Sequence, residues 1–455
     1  MNPILLTDSY KPSHWKQYPA GTERVFSFLE SRGGQFPSTI FFGLQYILKK
    51  HLIGAVVTEA DIAEARDLFR AHFGTDAIFN EAGWRYIVDR HGGRLPVRIR
   101  AVPEGTAVPV SNVLMTIENT DPAVPWITNY LETLTSQAWY PTTVATQSNM
   151  MRRTVLKFLE ETGSPDLIDF KVHDFGYRGS TSVESAGIGG AAHLVNFKGT
   201  DTLAAIITAR DYYDEPMAGF SIPAAEHSTI TSWGKDRERD AYGNMLEQFP
   251  DGLVAVVSDS YDIYRACRDL WGKELREQVL NRNGTVVVRP DSGNPPEVVL
   301  KVLQALGDAF GTSVNEKGYR VLDPHVRVIQ GDGIDLAMLD TILTAMQRAK
   351  WSADNIAFGS GGGLLQKVNR DTSKFAIKCS AIHINGMWRD VMKDPITDPG
   401  KRSKAGRLKL IRNGHGFETV REESAGDDEL VTVFENGELV REYSFQEIRD
   451  RATKG

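Results

Sequence analysis

The chain has 455 residues, of which 41% are hydrophobic, enough for a large core and more than one average domain holds. Its 52 basic and 59 acidic residues give a net charge of −7 and are mixed along the sequence, which argues against general affinity for nucleic acid. With two cysteines, no signal-like start and no apolar run of about 18 residues, the sequence predicts a cytoplasmic protein without a disulfide framework, zinc site or membrane span.

The first third of the sequence predicts a mixed α+β region over residues 1–165. A strand is expected at 24–30, and mostly helix over 40–90. Residues 95–120 alternate in polarity and carry turn prolines, a pattern typical of short antiparallel strands. A helical stretch follows over 124–162.

The middle of the chain, 166–392, predicts an α/β barrel. Short β-branched runs alternate with amphipathic helical stretches, at the spacing expected of strand–helix units. The predicted strands are 253–257, 286–288, 326–329 and 356–358. Each run ends in polar or glycine residues, and parallel α/β folds bind ligands at the carboxyl ends of their strands. A barrel places all of these ends on one rim, which suits the pattern better than an open sheet.

The last part, 393–455, is predicted to be a basic loop followed by a small β region. Residues 393–407 are rich in lysine and arginine, and strands are expected at 408–412 and 429–434. The dipeptide Asn436-Gly437 indicates a hairpin turn. A peripheral helix is expected at the end of the chain.

Three candidate residues for binding a ring, a phosphate or an amide precede the first strand–helix units. In the run 174–180, Phe175 can stack on a planar ring and Arg178 can bind a phosphate, although this segment alone favours the alternative of a turn with a core aromatic and a surface arginine. Asp201 can accept a hydrogen bond from an amide, or it can cap a helix, as aspartate often does.

A histidine beside a carboxylate marks the start of another predicted helix. Glu226 and His227 precede a Ser-Thr pair that can cap this helix, and a helix start attracts anions. His227 is therefore a candidate general base, phosphate ligand or nucleophile toward a phosphoryl group. A partly buried structural histidine is the alternative.

Three further strand ends carry groups that handle phosphates. After 286–288, Arg289 is placed to hold a phosphate and Asp291 a ribose hydroxyl or Mg²⁺, with a surface ion pair as the alternative. Glycine turns at 331–333 and 359–363 let backbone N–H groups surround a phosphate, although neither matches a P-loop or a GxGxxG site. Together these residues indicate an enzyme that acts on a phosphorylated sugar or nucleotide.

Nearly the whole chain resembles the nicotinamide phosphoribosyltransferase family. The resemblance rests on motifs in the family's order: TDSYK (7–11), FGLQYIL (42–48), HDFGYRG (173–179), NFKGTDT (196–202), PAAEHSTI (223–230), VVSDSYDIY (256–264), RPDSGNP (289–295), VIQGDG (328–333), IAFGSGGGLLQK (356–367) and KDPITDPGKRSKAGRL (393–408). It implies the irregular α/β barrel of type II phosphoribosyltransferases, with a smaller mixed α+β domain built from N-terminal and C-terminal segments.

The resemblance also implies an activity. The phosphoribosyl group of 5-phosphoribosyl 1-diphosphate would pass to nicotinamide with Mg²⁺, coupled to ATP hydrolysis through phosphorylation of His227. A homodimer with shared active sites is expected, and the region 1–165 would include a dimer-contact segment.

The family's site residues can be placed on this sequence motif by motif. Phe175 would stack on nicotinamide opposite the partner subunit's Tyr10, and Asp201 would accept from the carboxamide. Glu226 and Asp259 would orient His227. The remaining assignments are Arg178 and Arg289 to ring-side or phosphate groups, Asp291 to the ribose hydroxyls, Gly331, Asp332, Gly361 and Gly362 to the 5′-phosphate side, and Arg32, Arg370, Lys378, Lys393 and Lys401 to phosphate or diphosphate. The metal ligands are not assigned.

Two alternatives and two departures accompany this prediction. A nicotinate phosphoribosyltransferase would share the fold, but Asp201 would repel a carboxylate substrate. A cytokine-like extracellular role is disfavoured by the full set of site residues. The segment after Arg32 is shorter than in vertebrate members, and Ala255 replaces a serine there, so inhibitor behaviour is not carried over.

Overall fold

The computed structural model describes residues 1–397 and 402–454 of the chain. Its strands are β1 (Thr22–Ser31), β2 (Ser38–Ile40), β3 (Val97–Ala101), β4 (Ala107–Pro109), β5 (Val113–Asn119), β6 (Val172–Asp174), β7 (Gly199–Thr200), β8 (Asp251–Val257), β9 (Asn283–Arg289), β10 (Thr312–Val314), β11 (Arg320–Leu322), β12 (Val326–Gln330), β13 (Ile356–Ser360), β14 (Phe375–Ile384), β15 (Met387–Asp390), β16 (Leu408–Asn413), β17 (Gly416–Arg421), β18 (Val431–Glu435) and β19 (Glu438–Leu439).

The helices follow the same chain order. The α-helices are α1 (Leu44–His51), α2 (Glu59–Phe73), α3 (Glu81–His91), α4 (Ile127–Tyr130), α5 (Glu132–Ser136), α6 (Trp139–Thr162), α7 (Val183–Leu194), α8 (Leu203–Tyr213), α9 (His227–Thr231), α10 (Glu238–Gln248), α11 (Ile263–Arg265), α12 (Arg276–Leu280), α13 (Pro295–Phe310), α14 (Leu336–Arg348), α15 (Gly362–Leu365) and α16 (Phe445–Lys454). A π-helix spans Ala266–Glu274, and 3₁₀ helices span Pro3–Leu5, Lys11–Lys16, Pro165–Phe170, Tyr177–Gly179, Lys235–Arg237, Ala353–Asn355 and Arg370–Thr372.

The described chain divides into two compact units. Unit 1 contains Met1–Thr146, Asp211–Glu215 and Asn369–Gly455, and unit 2 contains Gln147–Arg210 and Pro216–Val368. Unit 1 is therefore built from both ends of the chain, as the sequence predicted. The compact units divide within α6 and between residues 368 and 369, and the predicted regions 1–165, 166–392 and 393–455 stay a prediction.

Unit 1 is organised around an antiparallel sheet. The sheet order is β15-β14-β1-β5-β3-β18-β19, so three strands from the start of the chain lie in the centre, with two strands from its end on each side. The predicted hairpin turn is confirmed, because β18 and β19 pair antiparallel around Asn436 and Gly437, which both have positive φ. The predicted helical stretch 124–162 is three separate helices, α4, α5 and α6.

Unit 2 is the predicted α/β barrel. Six parallel strands lie in the order β7-β6-β13-β12-β9-β8. The segment 220–225, called the closing segment below, bonds to both edge strands of this sheet: the amide of Thr200 donates to Phe220 (3.0 Å), and the amide of Ala225 donates to Ala255 (2.9 Å). Because the two edges share this segment, the sheet closes into an irregular barrel.

Strand alternation divides the barrel residues between its two faces. Val254, Val256, Val286 and Val288 are fully buried on the outer face, toward the helices. The intervening residues Ala255, Val287 and Ile329 form a small apolar cluster inside the barrel, against which Phe175, Ile222 and Ala357 pack. Two residues further along each chain segment, the next inward-facing positions are Val257, Arg289 and Gly331, at the carboxyl ends of the strands.

Local signals explain where the barrel helices begin. The side chain of Asn294 accepts from the amide of Glu297, with Pro295 at the first helical position of α13, and Asp335 caps α14 by accepting from Met338. The helical stretch that follows β8 is irregular: residues 263–280 form α11, the π-helix and α12 rather than a single α-helix. Insertion of extra residues per turn in a π-helix is invisible to a 3.6-residue pattern.

Candidate active site

A cavity of about 860 Å³ lies at the carboxyl ends of the barrel strands and is called the barrel cavity. Most of the residues predicted for the site from unit 2 line it: Phe175, Arg178, Asp201, Glu226, His227, Arg289, Asp291, Gly331, Asp332, Gly361 and Gly362. They come from six separate loops, and parallel strand order brings them together as expected. Asp259 also belongs to this group through its contact with His227.

An aromatic ring and an arginine form one wall of the barrel cavity. The guanidinium of Arg289 lies 5.1 Å from the centre of the Phe175 ring and donates to Oδ1 of Asp291 at 2.8 Å. A Cβ at Gly359 would lie 2.0 Å from the same ring, so this position requires glycine. The wall therefore combines a flat apolar surface with a paired positive and negative charge.

Asp201 is an ionised acceptor in the same cavity. Its Oδ1 accepts from Nε2 of His173 at 2.8 Å and from Oγ of Ser221 at 2.6 Å. Partial burial raises the pKa of Asp201, but the His173 and Ser221 hydrogen bonds and the charge of Arg289 outweigh it and hold the pKa below its ordinary value. In the described contacts, the Asp201 side chain makes these two hydrogen bonds rather than capping a helix, the alternative role considered from the sequence.

His227 is the first residue of α9 and is half exposed. Its Nε2 lies 3.0 Å from Oδ1 of the nearly buried Asp259, whose Oδ2 accepts from Ser292 at 2.5 Å. Glu226 bonds instead to Oγ of Ser228. In the described contacts, the orienting group of His227 is therefore Asp259, and Glu226 organises the start of the helix.

Arg178 and the glycines contribute less defined features. Arg178 is exposed on the 3₁₀ helix Tyr177–Gly179 at the rim. Gly331 lies close to both Phe175 and Arg289, which a Cβ would approach to 3.2 Å, whereas Gly361 and Gly362 have only ordinary contacts. Gly331 thus makes room for the aromatic wall, a role that the sequence did not indicate.

The remaining predicted phosphate ligands lie in unit 1. Arg32, Arg370, Lys378 and Lys393 line a separate cavity of about 680 Å³, called the basic cavity, together with Lys374 and Glu132. Burial lowers the pKa of Lys378, and the charges of Arg32, Lys393 and Arg370 lower it further against the opposing effect of Glu132. Such crowding of positive charge favours an anionic ligand. Lys401 lies outside the described residues.

Tyr10 is also in unit 1, immediately before the 3₁₀ helix Lys11–Lys16. Its side chain is 59% exposed, with its ring 5.0 Å from that of His14. The contact of Tyr10 with a partner subunit stays a prediction.

Two residues that bond to Asp201 were not among the predicted site residues, His173 and Ser221. His173 lies two residues before Phe175, on the same inner face of the barrel wall, and Ser221 lies on the closing segment. Strand alternation around the HDFGYRG motif was the available signal for His173. Ser221 had none, because its segment contains Pro223 and reads as a loop.

No cluster of three or more His, Cys, Asp or Glu side chains able to hold a metal occurs among residues 1–397 and 402–454. Over the same residues, every helix is too short or too polar to cross a bilayer.

Comparison with known proteins identifies the class. Residues 170–438 match the nicotinate phosphoribosyltransferase (NAPRTase) family, and residues 2–99 match the nicotinamide phosphoribosyltransferase N-terminal domain. The fold is similar to nicotinate-nucleotide pyrophosphorylase from Pyrococcus furiosus (TM-score 0.63, 16% identity, covering 100% of this chain and 95% of that one). It is also similar to human nicotinic acid phosphoribosyltransferase (TM-score 0.58, 17% identity, covering 99% and 93%). The fold is thus that of the type II phosphoribosyltransferases, as expected.

Full-length relatives narrow the assignment. A nicotinamide phosphoribosyltransferase of Xanthomonas campestris pv. campestris (strain 8004) is 57% identical, covering 99% of this chain and 98% of the relative. One from Acinetobacter baylyi (strain ATCC 33305 / BD413 / ADP1) is 32% identical, covering 99% and 97%. The chain belongs to the nicotinamide phosphoribosyltransferase family and is an enzyme.

Proposed function

We propose that this enzyme transfers the phosphoribosyl group of 5-phosphoribosyl 1-diphosphate to nicotinamide, releasing diphosphate and forming nicotinamide mononucleotide in NAD salvage. The observation that carries the proposal is Asp201: an ionised carboxylate in the same cavity as the Phe175 ring. A carboxylate accepts hydrogen bonds and donates none, so it suits the NH₂ of a carboxamide and repels a carboxylate.

The barrel cavity has the groups that the transfer needs. Departure of diphosphate leaves positive charge on the ribose, as in glycoside cleavage. Asp291 would bind the ribose hydroxyls, and its hydrogen bond from Arg289 supports this role by holding the carboxylate in place. Phe175 holds the pyridine ring so that the ring nitrogen can attack the anomeric carbon. The ring nitrogen gains a bond to that carbon as the bond to diphosphate breaks, with no covalent enzyme intermediate.

The cations of the basic cavity are proposed to bind phosphate or diphosphate. In a homodimer with shared sites, they and Tyr10 would serve the barrel cavity of the partner subunit. The exposure of Tyr10 supports this arrangement. Tyr10→Ala and Asp201→Ala homodimers should both be nearly inactive, and mixed dimers should recover activity because one site has both native residues. Mixed dimers verified by mass spectrometry that stay inactive would contradict sharing.

Mg²⁺ fits the carboxylates that line the barrel cavity. Mg²⁺ usually keeps several waters and takes one or two protein carboxylates together with substrate phosphate oxygens. Asp291 and Asp332 line the cavity and would hold it. Once bound, the ion would neutralise charge on the departing diphosphate.

ATP coupling is proposed to pass through phosphorylation of His227. The geometry that supports it is the bond from His227 to Asp259, which leaves the other ring nitrogen to attack the γ-phosphorus and displace ADP. A phosphohistidine beside the diphosphate site would favour substrate binding, and its hydrolysis would release phosphate. His227→Ala should lose both ATP hydrolysis and stimulation of transfer by ATP. Wild-type ATP hydrolysis in this variant would mean that another residue accepts the phosphoryl group.

The decisive experiment is diphosphate release with each pyridine. Wild-type enzyme should release diphosphate with nicotinamide much faster than with nicotinate, and Asp201→Ser should lower the ratio of the two kcat/KM values by about tenfold or more, the size of a lost hydrogen bond to a charged group. The alternative, a nicotinate phosphoribosyltransferase, is favoured by the name of the family that matches residues 170–438. It predicts faster release with nicotinate.

A further inference from the structure

The two carboxylate oxygens of Asp201 differ in their hydrogen bonding. Both described hydrogen bonds of the carboxylate, from His173 and Ser221, end on Oδ1. Among the residues that the structure describes, no group donates to Oδ2. Asp201 lines the barrel cavity, so the oxygen without a partner is the acceptor that the carboxylate offers to a donor bound there.

His173 is rigidly held for this contact. Its side chain is 14% exposed, and its ring lies edge-on to Phe175 with 5.3 Å between the ring centres. A Cβ on Gly199 would lie 2.6 Å from Nδ1 of His173, so the imidazole sits directly against the β7 backbone. Because the carboxylate of Asp201 accepts only, the Nε2 that faces it carries the hydrogen.

Ser221 reaches the same oxygen from the closing segment. Its hydroxyl donates at 2.6 Å, from the segment that joins the two edge strands of the barrel sheet. The two donors come from opposite neighbours of β7, since β6 lies on one side and the closing segment on the other. Two donors on one oxygen stop the carboxylate from rotating about its terminal bond.

We propose that His173 and Ser221 are positioning residues that determine the choice between amide and acid, by fixing the carboxylate of Asp201 with Oδ2 directed to the substrate amide. This inference rests on the proposed function. Neither residue needs to touch the pyridine. A loosened carboxylate could turn away or recruit water, and the amide of nicotinamide would then lose its advantage over the acid.

The test uses the full-length enzyme and three variants. His173→Leu and Ser221→Ala each remove one donor, while His173→Gln keeps an N–H donor. The ratio of kcat/KM for nicotinamide to that for nicotinate should fall about tenfold in His173→Leu, as for loss of a hydrogen bond to a charged group, and be largely restored in His173→Gln. Ser221→Ala should lower the ratio in the same direction. The change should appear in KM for nicotinamide, with KM for 5-phosphoribosyl 1-diphosphate unchanged.

A matched control separates positioning from general damage. His325 makes a similar bond to Asp323 at 2.7 Å in the same unit but lines no described cavity, so His325→Leu should leave the ratio unchanged. In an Asp201→Ser background, which keeps measurable activity, His173→Leu should have no further effect on the ratio, because the carboxylate it positions is gone.

The outcomes are distinguishable. If the wild-type enzyme releases no diphosphate with nicotinamide, the proposed function fails. If it does and both donor variants keep the wild-type ratio, the inference is overturned. Should His173→Leu fail to fold, Ser221→Ala decides alone. A further loss of ratio in the Asp201→Ser background would also overturn the inference, since His173 would then act independently of the Asp201 carboxylate.

Discussion

The barrel cavity and the basic cavity differ in the chemistry of the side chains that line them. The barrel cavity collects an aromatic ring, carboxylates, glycines and one paired arginine from strand ends of a parallel sheet. The basic cavity sets several cations on and beside β14, an antiparallel strand, with Glu132 as a nearby acid. Under the proposed function, the first arrangement would position a neutral ring and a sugar, whereas the second would attract negative charge through its cations. Selectivity and affinity for phosphate can therefore be changed separately.

The largest expected effect comes from removing Arg289, the arginine of the aromatic wall that pairs with Asp291. Arg289→Ala leaves Asp291 without its ion partner and Phe175 without the cation over its ring. We expect kcat/KM to fall at least about 100-fold, as for loss of one preorganised charged donor. The matched control is Arg320→Ala, whose guanidinium lies 3.9 Å from the Trp351 ring away from the cavity. Equal losses in both variants would show general destabilisation instead.

A smaller effect, confined to KM for 5-phosphoribosyl 1-diphosphate, is expected from a substitution in the basic cavity. Lys378→Ala removes one charge from a crowded cluster and should raise KM for 5-phosphoribosyl 1-diphosphate about tenfold, the size of a lost charged hydrogen bond. It should also weaken the dependence of that KM on salt, because the attraction is electrostatic. KM for nicotinamide should not change. Lys273→Ala, at an exposed ion pair, is the control. A parallel rise of both KM values would contradict the separation of the two cavities.

The smallest effect on activity and a clear effect on stability are expected for Glu104 in unit 1. Complete burial raises the pKa of Glu104 to about 7, opposed in part by backbone hydrogen bonds, whereas the pKa of Asp201 is lowered. A raised folded-state pKa means that stability is greatest below the ordinary value of 4.5 and falls as pH rises toward about 7. Glu104→Gln should flatten this part of the Tm–pH curve in calorimetry and leave kcat/KM unchanged. An unchanged curve would contradict the prediction.

The sequence predicted those parts of the barrel that depend on local residue patterns. Strands β8, β9, β12 and β13 are where short β-branched runs end in polar or glycine residues, and the barrel rim follows from their parallel order. The bond between His173 and Asp201 joins residues 28 apart, and no local pattern reports it. Ser221 reaches the site through a segment that pairs by isolated bridges. Gly359 was assigned to phosphate, yet the packing of Phe175 explains its lack of a side chain.

The closing segment has a consequence for the dynamics of the barrel. Residues 220–225 join the sheet by short sets of hydrogen bonds at their two ends, whereas β8 and β9 pair along seven residue positions. Local opening therefore costs less at this segment, and its amides should exchange with solvent hydrogen before those of β8 or β9. Since Ser221 lies on it and donates to Asp201, and His227 follows it after one residue, a ligand held by Asp201 or His227 would slow that exchange. The barrel wall would become more rigid only when the site is filled.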